Sequence, residues 1–445
     1  MNPNVFREYD VRGVVGNDLN EEFVFNLGRA IGTYAAKYEI KKMTIGRDCR
    51  LSSDDYHHFL IKGLNSSGIE TIDIGLCATP ILYFSIRYLN VEGGVMITGS
   101  HNPPEFNGFK ICIGNDTIYG EQIQELRKIM ECGQYSTGIA SSALQDITAA
   151  YQNYIFDNVK ITGKIKVAVD GGNGVGGHFA LPILQRCGCE VIPLYCEPDG
   201  NFPNHFPDPT VEDNLTELIK IVREQKADLG IAFDGDADRL GVVSDKGEII
   251  EGDKLLLLFA REILKEKPNS TIIAEVKCSQ VLYDDIKKHS GRAIMWKAGH
   301  SLIKAKMKEE KALLGGEMSG HLFFADRYFG YDDAIYAAVR LLEILSQRGQ
   351  KVSALLADVP QTFATPEIRI DCADDKKVKV VERIKKHFRN NPGLIEIDGV
   401  RIPFEDGWAL VRSSNTQPVI VLRFEASSAG SLQKIRDEVE PLLII

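Results

Sequence analysis

The chain has 445 residues, which is too long for one ordinary hydrophobic core, so several domains are expected. Its hydrophobic fraction of 44% and charged fraction of 26% are typical of a soluble globular protein. The formal net charge of −10 disfavours nucleic acid and anionic membranes as partners, so a site for a phosphate group must be a local cluster of Arg, Lys and backbone N–H groups.

Residues 1–150 alternate apolar runs with helical patterns, which predicts an α/β domain. Within it, apolar runs at 95–97 and 109–113 predict two strands on either side of a loop rich in Gly, Pro and Asn. Residues 134–144, rich in Ser and Gly, are interpreted as a linker. The other predicted elements are helices at 21–38, 54–67 and 121–132, a helix beginning at Thr79, and strands at 43–46 and 71–74.

Residues 151–252 and 253–365 predict two further α/β domains. The first of these opens with a strand at 166–170, a glycine-rich loop at 171–177 and a helix at 179–187. The loop fits the dinucleotide-binding pattern GxGxxG poorly, and no acidic residue follows convincingly at the required distance, so a glycine-rich turn into a helix is favoured. The other predicted elements are strands at 229–233, 240–244 and 271–276 and a helix at 255–265.

Each of these three domains repeats a strand, a polar loop and a helix at a spacing of about one hundred residues, which predicts three copies of one α/β fold. Residues 366–445 differ, because their strands follow one another through short loops. This pattern predicts a smaller α+β domain with an antiparallel sheet and helices on one face. Its predicted strands lie near 367–370, 399–402, 408–412 and 419–425, and its helices at 376–388 and 431–442.

The nine cysteines are odd in number and scattered, without the spacing of a disulfide framework or a zinc site. We interpret them as reduced thiols of a cytoplasmic protein, most of them buried. The N-terminal sequence does not resemble a signal peptide, and no apolar run approaches the length of a membrane span. The sequence therefore predicts a cytoplasmic protein with no membrane partner.

The loop Thr-Gly-Ser-His-Asn-Pro at 98–103 has a composition that permits tight turns and positive φ angles. Its serine, Ser100, lies at the C-terminal end of a predicted strand, where it is well placed to carry a covalent intermediate. His101 lies beside it, and Lys110 closes the loop. Taken alone, the segment Ser-His-Asn-Pro at 100–103 fits a surface turn equally well.

Three aspartates, Asp234, Asp236 and Asp238, alternate after an apolar strand, so their carboxylates can converge on one side of an extended loop. Carboxylates held together repel one another and raise their pKa values, and a divalent cation relieves this repulsion. Oxygen ligands at this density suit Mg²⁺. An EF-hand is excluded because its twelve-residue loop and closing Glu are absent, and a purely structural acidic turn is the remaining alternative.

Two later loops offer groups that suit a phosphorylated sugar. The loop Gly-Glu-Met-Ser-Gly-His at 316–321 combines a carboxylate, a hydroxyl and an imidazole, although alone it would be an ordinary turn. The loop Arg-Ser-Ser-Asn-Thr-Gln-Pro at 412–418 can form a nest of side chains and backbone N–H groups around a phosphate.

These four motifs, in this order, resemble the motifs of the α-D-phosphohexomutases, and the resemblance covers nearly the whole chain. The match is closest to the bacterial phosphomannomutase/phosphoglucomutase branch. Ala237 is a departure, because the family usually has Gly at this place in the aspartate loop. The resemblance implies four domains around a central cleft, a phosphoserine enzyme, and the interconversion of hexose 6-phosphate and hexose 1-phosphate through a hexose 1,6-bisphosphate.

The resemblance also implies roles for individual residues. One Mg²⁺ per chain would be held by Ser100, Asp234, Asp236 and Asp238. Lys110 would serve as general acid or base, with its pKa lowered by the cation and by a neighbouring Arg. The other implied catalytic residues are His101, Arg239, Arg12 and His300. The implied substrate-binding residues are Tyr9, Lys277, Gly299, Glu317, Ser319, His321, Arg412, Ser414, Asn415 and Thr416.

Several functions remain open from the sequence. A phosphoglucosamine mutase is one alternative, although that branch more often has Gln where Met318 stands. A sugar phosphatase that uses the same phosphoserine is another, and a non-catalytic sugar-phosphate sensor is a third. Small-molecule sugar phosphates are the expected partners, and the oligomeric state is left open between monomer and dimer.

Overall fold

The computed structural model describes residues 1–414 and 417–443. The strands are β1 Val11–Val14, β2 Lys42–Arg47, β3 Glu70–Leu76, β4 Gly93–Ile97, β5 Phe106–Ile113, β6 Asp116–Thr117, β7 Ser142–Leu144, β8 Lys166–Asp170, β9 Glu190–Leu194, β10 Leu229–Phe233, β11 Leu240–Ser244, β12 Ile249–Ile250, β13 Thr271–Glu275, β14 Arg292–Trp296, β15 Leu314–Gly316, β16 Leu322–Phe324, β17 Phe363–Ala364, β18 Ile368–Asp371, β19 Val400–Phe404, β20 Gly407–Ser413 and β21 Val419–Ala426.

The helices are α1 Glu21–Ala36, α2 Ser53–Ser66, α3 Thr79–Tyr88, α4 Glu121–Cys132, α5 Thr148–Asn158, α6 Gly176–Arg186, α7 Thr216–Glu224, α8 Gly252–Glu266, α9 Gln280–Lys288, α10 His300–Glu310, α11 Ala334–Arg348, α12 Val352–Leu355, α13 Asp374–His387 and α14 Ala429–Val439. In the described part of the chain, none of them combines the length and the apolar character that crossing a bilayer requires.

The first three sheets share one arrangement of four strands. Their strand orders are β5-β4-β2-β3, β11-β10-β8-β9 and β16-β15-β13-β14. In each, the first strand is antiparallel to the second, and the other three are parallel to one another. The prediction of three copies of one α/β fold is confirmed, and we call these copies the first, second and third units.

This shared arrangement places three loops in equivalent positions. In every unit, the third of these four strands along the chain, which is β4, β10 or β15, leads through a short loop into its antiparallel neighbour. The loops lie at 98–105, 234–239 and 317–321. Each loop contains a residue with a positive φ angle: Ser100 at 50°, Ala237 at 59° and Gly320 at 92°. These loops are the serine, aspartate and sugar motifs of the sequence.

The interpretation of residues 134–144 as a linker is only partly correct. Their last three residues form β7, which extends the first sheet by parallel pairing with β3. All three side chains are exposed, so the segment lacks the apolar alternation by which a strand is detected from sequence.

The fourth sheet, formed by β17 to β21, is antiparallel throughout, as predicted. Helices α13 and α14 pack on one face, where Ile384 and Ile435 contribute to a core with the inward side chains of the strands. On the opposite face, Trp408 and Leu410 pack against Val276 of the third unit. This C-terminal unit therefore docks beside the end of β13.

Candidate active site

All four units line one cleft, with a volume of about 1580 Å³. The serine loop contributes Ser100, the aspartate loop Arg239, the sugar loop Glu317 and the C-terminal unit Arg412. The cleft lies where the carboxyl ends of the parallel strands of three sheets meet, which is the usual place for ligands in open α/β sheets.

Ser100 occupies the turn that the sequence predicted. Its positive φ angle presents the hydroxyl sharply, and the residue is only 2% exposed. The hydroxyl donates to Asp234 Oδ2 at 2.8 Å and lies 3.1 Å from His101 Nδ1. Burial lowers the pKa of His101 well below its usual value, and the charges of Arg239 and Arg12 add to this effect. The first and second units thus meet at the serine.

A buried arginine that the sequence did not single out for the site holds this loop. Arg50 donates to the backbone carbonyl oxygens of Ser100 and Pro103, both at 2.7 Å, and of Phe106 at 2.8 Å. A side chain on Gly99 would place its Cβ 2.6 Å from the guanidinium carbon. Its position in the sequence could have indicated this role, because Arg50 follows β2, and β2 and its parallel neighbour β4, which precedes Ser100, end at the same edge of the sheet.

The three aspartates converge as predicted. One ligand atom of each lies within 4.8 Å of those of the other two, and all three residues are buried. Among the described residues, Asp236 Oδ1 and Asp238 Oδ1 are buried without a hydrogen-bond partner. Burial raises the pKa of Asp234 well above its usual value, and the charges of Asp238 and Asp236 raise it further. The donor set therefore fits a divalent metal ion.

Lys110 lies among these carboxylates. Its ammonium donates to Asp236 Oδ2 at 2.6 Å and also to Asp238 Oδ2. Burial lowers the pKa of Lys110, but the aspartates outweigh burial and leave it above its usual value. This direction is opposite to the predicted one, since here the lysine itself supplies the positive charge between the carboxylates. The predicted lowering depends on a bound cation and stays a prediction.

Thr79 also holds the aspartate loop, although the sequence identified it only as the start of a helix. Its hydroxyl donates to Asp236 Oδ2 at 2.5 Å, and its backbone N–H donates to the Asp236 carbonyl oxygen at 2.9 Å. The N-terminus of α3 therefore faces the acidic loop, and the helix dipole favours negative charge there.

The sugar loop is fixed by backbone contacts. Glu317 Oε1 accepts the N–H of Gly299 at 2.5 Å. Gly299 has a φ angle of 130°, and a Cβ there would lie 2.3 Å from Tyr9 Oη, so no other residue fits. Tyr9 Oη donates to the Ala298 carbonyl oxygen at 2.9 Å, and Ser319 lines the cleft beside Glu317.

Two predicted histidines stack beside the aspartate loop. The rings of His300 and His321 lie 5.5 Å apart, 20° from parallel. Arg239 Nε donates to His321 Nε2 at 3.0 Å, which directs the opposite ring nitrogen, Nδ1, towards Asp332 Oδ2 at 3.0 Å. Burial lowers the pKa of His321, but Asp238 and Asp332 raise it above its usual value. Asp332, fully buried, was missed because no motif marks it.

The remaining predicted residues lie at both ends of the cleft. Arg12 Nη1 donates to Asn102 Oδ1 in the serine loop at 2.6 Å. At the other end, Lys277 pairs with Glu367 at 3.0 Å and Arg412 pairs with Asp398 at 3.0 Å. Ser414 is buried and also lines the cleft, whereas Asn415 and Thr416 lie outside the described residues.

Four family models match the chain in order. They are the α/β/α domains I, II and III of phosphoglucomutase/phosphomannomutase, at residues 3–136, 147–247 and 251–363, and the C-terminal domain at residues 367–442. Together they cover most of the chain and all four motif loops.

Whole-chain comparisons agree. The chain is 47% identical over 434 residues to a phosphomannomutase/phosphoglucomutase of Pseudomonas aeruginosa, covering 97% of this chain and 94% of the relative. It is 44% identical to a phosphoglucomutase of Neisseria gonorrhoeae, covering 99% and 96%. A crystal structure of a phosphoglucomutase/phosphomannomutase family protein from Burkholderia thailandensis superimposes with a TM-score of 0.95 at 40% identity, covering 100% and 97%. The chain therefore belongs to the phosphoglucomutase/phosphomannomutase family of α-D-phosphohexomutases.

Proposed function

We propose that this protein is a phosphohexomutase that interconverts the 6-phosphate and 1-phosphate of mannose, glucose or both. It works through a phosphoserine at Ser100 and a hexose 1,6-bisphosphate. The observation that carries this proposal is the hydrogen bond of 2.8 Å between Ser100 Oγ and Asp234 Oδ2, which joins the phosphoryl carrier to the acidic triad. The names of the relatives with 47% and 44% identity support the same activity.

The reaction divides into two transfers. In the first, the bond between phosphorus and Ser100 Oγ breaks, a bond to the free sugar hydroxyl forms, and that hydroxyl gives up its proton. The resulting bisphosphate turns in the cleft. The bond between its other phosphorus and the sugar oxygen then breaks, a bond to Ser100 Oγ forms, and the released sugar oxygen takes up a proton. A single Mg²⁺ bound by Asp234, Asp236, Asp238 and the seryl oxygen would neutralise charge on the transferring group. Arg239, which lines the cleft beside this loop, stabilises the same charge.

Two groups can take the sugar proton. Lys110 is the first candidate, because it lies directly at the aspartate loop and lines the cleft. His321 is the second, since Asp332 supports its ring at Nδ1 as a carboxylate supports a catalytic histidine, and its Nε2 becomes available once Arg239, which donates to it here, turns to the transferring phosphoryl group. The pH dependence of kcat in Lys110→Met and His321→Asn distinguishes them. Removal of the group that takes the proton abolishes the rise of kcat with pH that its deprotonation produces.

Turnover of glucose 1-phosphate with Mg²⁺ tests the proposed function. Formation of glucose 6-phosphate supports a mutase, release of free phosphate and glucose would indicate a phosphatase, and no turnover would favour a sensor. Comparison of kcat/KM for mannose, glucose and glucosamine phosphates then separates this enzyme from a phosphoglucosamine mutase.

Arg412→Ala should weaken substrate binding without preventing phosphorylation of Ser100. Arg412 lines the cleft from the C-terminal unit, whereas Ser100 and its aspartates belong to the first two units. A charge-assisted contact contributes roughly 1.5–3 kcal/mol, so we expect KM to rise about tenfold to a hundredfold. Steady-state kinetics measures KM, and intact mass measures the phosphoserine. Arg389→Ala, on the exposed surface beyond α13, is the control, and unchanged KM and kcat in Arg412→Ala would contradict the assignment.

Sugar selectivity should be weak at C2 and strong at C4. A bisphosphate that turns end over end keeps O3 and O4 in similar places, so fixed partners such as Glu317 and Ser319 can read only these hydroxyls. Mannose and glucose phosphates should therefore differ by about 10–200-fold at most in kcat/KM. Galactose 1-phosphate, inverted at C4, should be at least about a hundredfold poorer than glucose 1-phosphate, because it leaves a buried polar partner unpaired.

Coupled assays with the three sugars measure these ratios. Glu317→Gln is the matched variant, since it keeps the shape of the side chain. It should reduce the ratio of kcat/KM for glucose 1-phosphate to that for galactose 1-phosphate. A preference of about 10⁴-fold for mannose over glucose, or equal turnover of galactose, would show that the sugar loop reads other hydroxyls.

A further inference from the structure

A buried carboxylate contacts both the sugar loop and a lysine side chain that lines the cleft. Glu275 ends β13 and is fully buried. Its Oε1 accepts the N–H of Met318 at 2.8 Å and lies 3.5 Å from Lys277 Nζ. Met318 lies between Glu317 and Ser319, the two residues proposed to read the sugar. One carboxylate oxygen therefore contacts the sugar loop and the lysine that follows β13.

The residue at the equivalent position in the first unit also accepts a backbone N–H of a functional loop. In the first sheet, Arg47 pairs with Ile97, and Asp48, the next residue, accepts the N–H of Gly99 at 3.4 Å. In the third sheet, Ala274 pairs with Gly316, and Glu275 is the next residue. In both units, an acidic side chain lies just beyond the last residue that pairs with the strand leading into the functional loop, and it accepts a backbone N–H of that loop, one beside Ser100 and one beside Ser319.

The other side of the sugar loop rests on α8. A Cβ on Gly252, the first residue of this helix, would lie 2.6 Å from the Glu317 carbonyl oxygen and 2.7 Å from that of Met318. The loop is therefore confined between Gly252 and Glu275. Loss of the carboxylate removes one of these two constraints and leaves the Met318 N–H without its acceptor.

Lys277 extends the connection to the C-terminal unit. Its ammonium lines the cleft and donates to Glu367 Oε2 at 3.0 Å. Among the described residues, Glu275 Oε2 is buried without a hydrogen-bond partner, so the charge of this carboxylate is balanced mainly by Lys277. Glu275 and Glu367 thus hold the Lys277 ammonium between them where it lines the cleft.

We propose that Glu275 is a positioning residue for substrate recognition, which sets the sugar loop through Met318 and aims Lys277 at the phosphorylated substrate. This inference rests on the proposed mutase function. Glu275 itself does not touch substrate, because it lies behind the loop and the lysine that do. Its two contacts can be separated by substitution, since one needs only an acceptor oxygen and the other needs a charge.

Glu275→Gln and Glu275→Ala test the two contacts with glucose 1-phosphate and galactose 1-phosphate. The assays are run at pH 8, above the pKa of Glu275, which burial raises to about 7 against the charge of Lys277. Glu275→Gln keeps an acceptor for Met318 but loses the charge, so KM for glucose 1-phosphate should rise about tenfold while the glucose-to-galactose ratio stays unchanged. Glu275→Ala should raise KM similarly and also lower that ratio about tenfold.

Phosphorylation of Ser100 by glucose 1,6-bisphosphate, measured by intact mass, should be retained in both variants. Glu343→Gln, a buried glutamate of α11 that pairs with Arg327, is the control and should behave as wild type. Wild-type KM and selectivity in both variants would overturn the inference, as would equal changes in Glu343→Gln. If Glu275→Ala does not fold, the KM of Glu275→Gln decides alone. Failure of the wild type to convert glucose 1-phosphate would instead refute the mutase function.

Discussion

Ser100→Ala should lower kcat/KM for glucose 1-phosphate by at least about 10⁴-fold, the scale on which loss of a covalent nucleophile is felt. Alanine removes the hydroxyl oxygen that accepts the phosphoryl group, and Arg50 still holds the loop through its backbone carbonyl groups. Intact mass of freshly purified wild-type protein should show a species one phosphoryl group heavier, which is absent in the variant.

The assay needs two precautions. It is run without added hexose 1,6-bisphosphate, because a bisphosphate could otherwise bind and exchange without a carrier on the protein. Ser142→Ala, on the exposed edge strand β7, is the control and should keep both the activity and the added mass. Full activity in Ser100→Ala under these conditions would contradict the phosphoserine mechanism.

Asp234→Asn should lower kcat/KM by about 10³-fold or more, since a bound cation contributes several kcal/mol of charge stabilisation to the transition state. Chelation of divalent cations should reduce wild-type activity similarly, and added Mg²⁺ should restore it. Titration with Mn²⁺, followed by its paramagnetic resonance, should show binding to the wild type and much weaker binding to the variant.

The stability of the metal-free protein provides an independent test. Burial and two neighbouring carboxylates hold the pKa of Asp234 well above its usual value, so its ionised form destabilises the metal-free fold at neutral pH. Neutral asparagine keeps an acceptor for the N–H groups of Asp238 and Arg239, which now bond to Asp234 Oδ1. The Tm of metal-free Asp234→Asn should therefore equal or exceed that of the wild type. A lower Tm with unchanged Mn²⁺ binding would favour the purely structural acidic turn.

The parts of the site that could be predicted from sequence are those encoded within single loops. Ser100, the three aspartates and the sugar loop each follow an apolar strand, so the placement of each loop at the end of a strand follows from local pattern, and Lys110 lies on the strand that leaves the serine loop. The antiparallel C-terminal sheet and the three α/β copies were predictable for the same reason. The domain boundaries at residues 150, 252 and 365 stay predictions.

The residues that sequence analysis missed either contact another unit or lie outside any recognisable motif. Thr79 reaches the aspartate loop from another unit, and Asp332 reaches both histidines from the loop before α11. Arg50 works through backbone carbonyl groups, which leave no trace in the sequence of the partner segment. Such contacts depend on how distant segments pack, between units for Thr79 and within one unit for Arg50 and Asp332, and periodicity along the chain carries no information about that packing.

The equivalent placement of three loops has a consequence during synthesis of the chain. Each copy of the fold carries a different loop at the same place, and the proposed roles of these loops are nucleophile, cation binding and sugar recognition. When the first two units have left the ribosome, the proposed carrier serine and its aspartates have both been synthesised, but the sugar loop has not. The residues proposed for phosphoryl transfer are thus synthesised before those proposed to select the sugar, and the proposed mutase activity requires the later units as well.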